Sequence, residues 1–439
     1  MKKIILPCLL MVLILFTKDI QASDDLTNKI LQLEQNFSKL QQQINQLRKD
    51  MGSKKVSKTN SQRLANLEAY AVQLNDVLSE VKEQIEENTD EVARISKIQQ
   101  TKPNIGVYGT ITAAKAENQN SIIDGQSFEL VISGQPHKRI SYFTELEFER
   151  AATVGGSRGG EVLLEQAYTD FQVNSWLNFR GGILLVPFGN IERDHYAPLR
   201  EVISKPLTST AIAPSDWTDN GFGFNGRFNI AKNWIADYQA YVIAGLGSDI
   251  NTTGLRASRQ GFGADNNNNK AFAGKLSLQN TSGITLGLSY YTGAWNDSGD
   301  KDISGFNIDF DYQWKSFEFI GEYTDMDIQR ELGSDAHMDG FYLRSIYTLD
   351  KIFPEDWFAG DFPNAKLSFV AQFDQVTIEN FFDPAQADNW EERLTLGLRL
   401  QPTSSWILSL NYENARARGA ETILRGNDDL WIFSLGYVF

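Results

Sequence analysis

Apolar residues near the start of the chain fall at Leu26, Ile30, Leu33, Phe37, Leu40, Ile44, Leu47 and Met51, with spacings that alternate between four and three. That heptad seam predicts a helix whose narrow apolar stripe faces a partner helix. A break follows near residues 52–62, opening with Gly52-Ser53-Lys54-Lys55. The seam then restarts, out of step, at Leu64, Leu67, Ala71, Leu74, Leu78, Val81, Ile85, Asn88, Val92 and Ile95. Residues 23–100 are therefore expected to form two coiled-coil segments joined by a flexible break. In the second segment Leu64, Leu78 and Ile85 take a positions, while Val81, Asn88 and Ile95 take d positions. Branched residues at d point to three or more strands, hence a homotrimer, with Asn88 as the polar register-setter. The first segment, with leucine at d, does not discriminate.

After the linker Thr101-Lys102-Pro103-Asn104 the period changes from 3.5 to 2. Phe306, Ile308, Phe310 and Tyr312 alternate with Asn307, Asp309, Asp311 and Gln313. Leu394, Leu396, Leu398 and Leu400 alternate with Arg393, Thr395, Gly397 and Arg399. Leu367, Phe369, Ala371 and Phe373, and likewise Phe222, Phe224 and Phe228, repeat the pattern. Charges on the second face would be buried unpaired in a soluble sandwich, whereas they suit the wet lumen of a barrel whose outer face meets lipid. Between Ile105 and Phe439 about sixteen such segments fit, an even number as single-chain barrels have, and large enough to leave a channel. The fold class expected for 101–439 is an all-β transmembrane barrel of antiparallel strands. An even count places both barrel ends, and the coiled coil with them, in the periplasm.

The two termini sharpen this. Trp431, Phe433, Leu435, Tyr437 and Phe439 share one strand face at the extreme C-terminus, and that ending resembles the strand by which the assembly machinery recognises outer-membrane barrels. Met1-Lys2-Lys3, the apolar run Ile4–Phe16 and Ile20-Gln21-Ala22 read as a signal peptide over 1–22. Cys8, the sole cysteine, lies inside it, so the mature chain needs no disulfide and has no thiolate metal site. No second apolar run of about 18 residues exists, which excludes a helical membrane protein. Mean hydropathy is −0.34, as expected where polar and apolar positions alternate. A formal charge of −15 argues against nucleic acid as a partner.

Pro187–Asn220 is the longest stretch without strand alternation. It would either fold into the barrel as a constriction or lie as a lid on the extracellular rim. In the first case Arg193, His195, Arg200 and Lys205 are candidate pore-lining cations, with Glu192, Asp194, Glu201 and Asp216 opposing them. Inward strand positions add Arg180, Arg227, Lys275, Arg344, Lys366, Arg393 and Arg399, against Glu145, Glu147, Asp309, Asp311, Glu318, Glu322 and Asp374. A lumen of mixed sign either pairs internally or sets up a transverse field that sorts dipolar and multiply charged solutes. The three histidines, His137, His195 and His337, stand far apart in sequence, so no metal or other cofactor is expected. Asp297, Asp300 and Asp302 lack calcium-loop spacing, and no serine–histidine motif suggests an enzyme.

Signal peptide, periplasmic coiled coil and channel-sized barrel together resemble the TonB-independent siderophore porins of the legiobactin-receptor type. The stretches Leu164-Glu165-Gln166-Ala167-Tyr168-Thr169-Asp170-Phe171, Phe179-Arg180-Gly181-Gly182 and Val186-Pro187-Phe188-Gly189 are similar to the wider superfamily that contains the phosphate-selective porins. The resemblance implies an outer-membrane conduit taking up a ferric siderophore by downhill diffusion, without an energised plug. The residues lack the single arginine ladder of a phosphate porin. A general or anion-selective diffusion porin, and an envelope tether in which the coiled coil grips a partner, are the alternatives.

Overall fold

A computed structural model describes residues 102–439 apart from 151–159, 215, 354–359, 384, 420 and 424–425, and, before them, positions within 35–49 and 64–79. The described positions of the N-terminal unit are helical, and Arg48 pairs with Glu68 at 2.7 Å. The signal peptide, the break at 52–62 and Asn88 lie outside the described residues.

The second unit is a closed barrel of sixteen strands, each antiparallel to its neighbours in chain order. The first eight are β1 (Asn104–Ala116), β2 (Ile122–His137), β3 (Ile140–Glu149), β4 (Glu161–Asn174), β5 (Leu177–Leu185), β6 (Thr218–Ala231), β7 (Trp234–Ile243) and β8 (Ala271–Asn280). The others are β9 (Ile284–Ala294), β10 (Asp302–Trp314), β11 (Phe317–Ile328), β12 (Ala336–Asp350), β13 (Lys366–Ile378), β14 (Asn389–Thr403), β15 (Trp406–Arg418) and β16 (Asp429–Val438). The sixteen alternating segments expected from the sequence are thus present. Closure comes from β16 against β1, running from Tyr108↔Val438 to Ala116↔Leu430. The last residue takes part: Phe439 donates its amide to Val107 O at 2.8 Å and accepts from Val107 N at 3.0 Å. Closure leaves no free sheet edge, so every strand's backbone finds a partner within the wall.

The two wall faces differ as the alternation requires. Phe306, Ile308, Phe310, Leu394, Leu396, Leu398, Trp431 and Phe433 are exposed on the outside. Asn307, Asp309, Arg393, Thr395 and Arg399 are buried on the inside. A continuous exposed belt of large apolar side chains is unfavourable in water and is what hydrocarbon covers. Among the described residues no helix is long and apolar enough to cross a membrane.

The lumen departs from the uniformly wet interior expected above. At the end where odd-numbered strands finish, the inner face of β5–β13 carries Tyr241, Ile243, Ile303, Met326, Ile328 and Met338, and these pack with Val186, Phe188, Leu207, Ile212, Trp217 and Leu255 from two loops into one apolar cluster. The cause is a phase reversal within single strands. In β11 the outward Phe317, Phe319 and Tyr323 give way to outward Asp325 and Asp327, just where the inward positions turn apolar at Met326 and Ile328. Beyond the lipid belt the outer face is polar and the inner face becomes core.

Candidate functional site

The segment between β5 and β6 enters the barrel. Its entry is a turn at Gly189, whose φ of +66° is left-handed, and a Cβ there would stand 2.9 Å from Asn307 Nδ2 and Glu322 Oε2. Only glycine lets the backbone pass so close. The next amide, Asn190 N, donates to Glu322 Oε2 at 2.7 Å, and Lys275 Nζ donates to Gly189 O at 2.7 Å. The short helix Ile191–His195 follows. The chain then crosses the lumen to the opposite wall, where Tyr196 meets Tyr108 edge-on at 5.4 Å. At Gly436 on β16 a Cβ would lie 2.9 Å from Pro198 Cβ. The return runs along β13–β15, with Ile203 N donating to Asn411 Oδ1 at 2.7 Å and Leu207 N to Asp374 Oδ1 at 3.0 Å. The β7–β8 loop braces it, Leu255 N donating to Ala211 O at 2.8 Å.

Most of the candidate cations serve as anchors. Arg193 reaches Asp311 at 2.7 Å, Glu318 at 2.5 Å and Glu201 at 2.8 Å. Arg344, fully buried, holds Glu201 at 2.5 Å, Asp194 at 3.4 Å and Gln372 Oε1 at 2.7 Å. Arg393 pairs with Asp374 at 2.9 Å and donates to Lys205 O at 2.7 Å. Lys275 pairs with Asp309 at 2.9 Å. Arg180 pairs with Asp170 at 2.7 Å and lies over the Tyr168 ring, and Arg227 donates to Gln279 at 2.8 Å. Arg399 donates to Leu199 O at 3.3 Å and lines a small cavity of about 250 Å³ with Glu201, Lys315 and Lys366. Charges that share the low-dielectric interior stabilise docking only as completed pairs.

His195, Arg200 and Lys205 do something else: they face a cavity of about 630 Å³ between the inserted segment and the wall of β1–β4 and β16. Its wall side carries Glu129, Glu147, Glu149, Glu161 and Glu165. Its loop side carries Arg200 and Lys205, with Arg256 and Arg259 from the β7–β8 loop. Carboxylates prevail on the wall, where Arg150 pairs with Asp124, and cations prevail on the loops, where Asp216 pairs with Lys205. Glu129, Glu149, Glu161, Glu165, Arg256 and Arg259 were not singled out from sequence. Glu129 was within reach, as the inward neighbour of outward Phe128 and Leu130. Glu165 was not, because a bulge (Glu145 pairs with Gln166, Leu146 with Leu164) puts Glu165 and Gln166 on the same side and breaks the period of two.

His195 is the hub at the floor of this lane. Nε2 lies 2.9 Å from Glu145 and 3.4 Å from Glu165, and Nδ1 lies 3.2 Å from Asp216. Burial alone would lower the imidazole's pKa, but hydrogen bonds to Asp216 and Glu145 raise it to about 10, so both ring nitrogens donate at neutral pH. Asp216 occupies a left-handed backbone conformation, φ +52°, that places its carboxylate between His195 and Lys205. Burial would raise the Asp216 pKa, yet Lys205 and His195 hold it well below the carboxylate range. Glu145, Glu165 and His195 bring ligand-type atoms within metal-binding reach of one another. Both ring nitrogens of His195 already face carboxylates, however, and Glu145 already accepts from Tyr108 at 2.5 Å and Gln166 at 2.7 Å. The donor set fits a caged imidazolium. A second group, Asp325, Asp327 and His337, lies on the outer face above the apolar belt.

No family model matches the chain. A protein of Aquifex aeolicus (strain VF5) described only as uncharacterized is 26% identical over 283 residues, which span 58% of this chain and 64% of that protein. Among solved structures, OmpF of Salmonella typhi in complex with daunomycin superposes with a TM-score of 0.54 at 10% identity, covering 77% of this chain and 98% of that one. An anion-selective porin from Comamonas acidovorans (TM-score 0.51, 10% identity, 77% and 100% covered) and OmpT, an outer membrane protein of Vibrio cholerae in trimer form (0.51, 10%, 77% and 99%), are similar. At these identities the likeness is one of fold, and the fold is that of a porin barrel.

Proposed function

We propose that this chain is a passive diffusion channel of the bacterial outer membrane, in which the 186–217 segment narrows the lumen to a charge-divided lane beside β1–β4 and β16. The observation that carries this is the cavity itself. An apolar cluster fills one side of the lumen, and polar space remains on the other, between carboxylates on the wall and cations on the loops. Fixed charges at a constriction act across low-dielectric walls and select by solute charge distribution more than by affinity. The porin fold of the neighbours and the exposed apolar belt support the membrane setting. With Arg344 and Arg393 consumed in pairs and Lys205 held by Asp216, the charge left to the lane comes from Arg200 and the wall glutamates.

The finer assignment, a ferric siderophore taken up without TonB, rests on the resemblance in layout read from the sequence: signal peptide, coiled coil and channel-sized barrel. Single-channel current through the purified barrel in a planar bilayer separates these levels. A steady conductance is expected. Saturable block by a ferric hydroxycarboxylate siderophore, absent with its iron-free form, supports the siderophore conduit. A conductance indifferent to it leaves a general small-solute channel, and no conductance at all contradicts both.

A further inference from the structure

Among the buried arginines of the barrel, Arg200 stands apart. Arg344 and Arg393 end on carboxylates, and Arg330 donates to the carbonyls of Phe381 at 2.9 Å and Asn380 at 2.6 Å. Arg200 is only 7% exposed and, unlike Arg399, whose guanidinium reaches the carbonyls of Pro198 and Leu199, makes neither an ion pair nor a side-chain hydrogen bond among the described residues. Across the same cavity Glu129 is 4% exposed, and its Oε2 is likewise without a partner. A buried charge short of partners costs several kcal/mol, so a cavity lined by a guanidinium with no ion pair and by a carboxylate with one oxygen unpartnered is suited to a ligand that supplies the missing partners.

The signs restrict that ligand. Glu147 and Glu165 reinforce Glu129 on the wall, and Arg256 and Arg259 reinforce Arg200 on the loop side, where Lys205 is paired with Asp216. A simple anion meets repulsion from the wall, and a simple cation meets repulsion from the loops. A solute with a carboxylate at one end and an ammonium at the other is attracted at both. Resting on the diffusion-channel reading and naming its substrate class, we infer that the lane holds a binding site for short zwitterionic solutes of the peptide kind, with Arg200 taking the carboxylate and Glu129 the ammonium.

Calorimetric titration of the full-length protein in detergent at low salt tests this with triglycine as probe, beside N-acetyltriglycine (carboxylate only) and triglycine amide (ammonium only). Saturable binding of triglycine is expected, with each blocked analogue at least roughly tenfold weaker, as loss of one charge-assisted contact implies. Arg200→Gln should weaken triglycine to the level of the amide, and Glu129→Gln, a near-isosteric change that leaves the barrel's heat-modifiable mobility intact, to the level of the N-acetyl form. Equal binding of all three probes, no triglycine binding, or wild-type binding by both variants overturns the site. Conductance of the same samples keeps the two levels apart: a conducting channel that ignores triglycine removes only the site, and binding without conductance removes only the channel.

Discussion

Replacing Trp217 with alanine is expected to free the 186–217 segment from the lumen while the barrel stays closed. Trp217 is 1% exposed, lies edge-on to Phe188 at 6.0 Å and tilts against Tyr291 at 4.8 Å, and its carbonyl accepts from Val186 N at 2.8 Å. It therefore joins both ends of the segment to the wall strand β9. Truncating a buried tryptophan to alanine costs about 3–5 kcal/mol. The loss falls on segment docking, since none of these contacts closes the sheet. A cost of that size raises the undocked population by about two to three and a half orders of magnitude. Trypsin then cuts at Arg193 or Arg200 in the variant, while the Lys205-Pro206 bond resists it, and the fragments stay together in a barrel of unchanged heat-modifiable mobility. Resistance equal to the wild type would mean that the segment is held elsewhere.

The second large effect is expected at Arg344, on β12. Its guanidinium is fully buried and joins Glu201 and Asp194 of the segment to Gln372 of β13. Arg344→Met keeps the bulk and removes the charge, leaving Glu201 with Arg193 alone and Asp194 without an ion-pair partner among the described residues. Breaking one side of a buried pair costs about 3–5 kcal/mol, whereas removing both sides is nearer to neutral. Arg344→Met should therefore raise the single-channel current and its noise severalfold as the segment leaves its seat. Adding Glu201→Gln should return part of the wild-type conductance. A single variant that conducts like the wild type, or a double variant worse than the single, would remove Arg344 from the anchoring role.

Much of this architecture is legible in the sequence. Period-two alternation in Phe306–Tyr312 and Leu394–Leu400 marked strands with an apolar outer face, and the aromatic ladder from Trp431 to Phe439 marked the strand that closes on β1. The stretch around Arg193–Lys205 stood out as a long connection, because alternation stops there. Three things were hidden, each for a physical reason. Pairing across the lumen joins residues such as Arg344 and Glu201, 143 positions apart, and no local pattern records that. The bulge at Glu165 shifts the face of the residues beyond it. The apolar cluster was masked because Met326, Ile328 and Met338 look like lipid-facing residues until their aspartate neighbours, Asp325, Asp327 and Asp339, show that the outer face has left the membrane.

The most direct measurement is of the lane itself. Ala114 lies on β1 and lines the cavity, while Ala273 on β8 is buried in the apolar cluster. The only native cysteine is Cys8, so Ala114→Cys and Ala273→Cys can each be placed in a Cys8→Ser background and exposed to a bulky maleimide during recording. Conductance should fall by most of its value in the Ala114→Cys protein and stay constant in the Ala273→Cys protein. Full labelling at position 114 with unchanged current would contradict a lane along β1–β4 and β16.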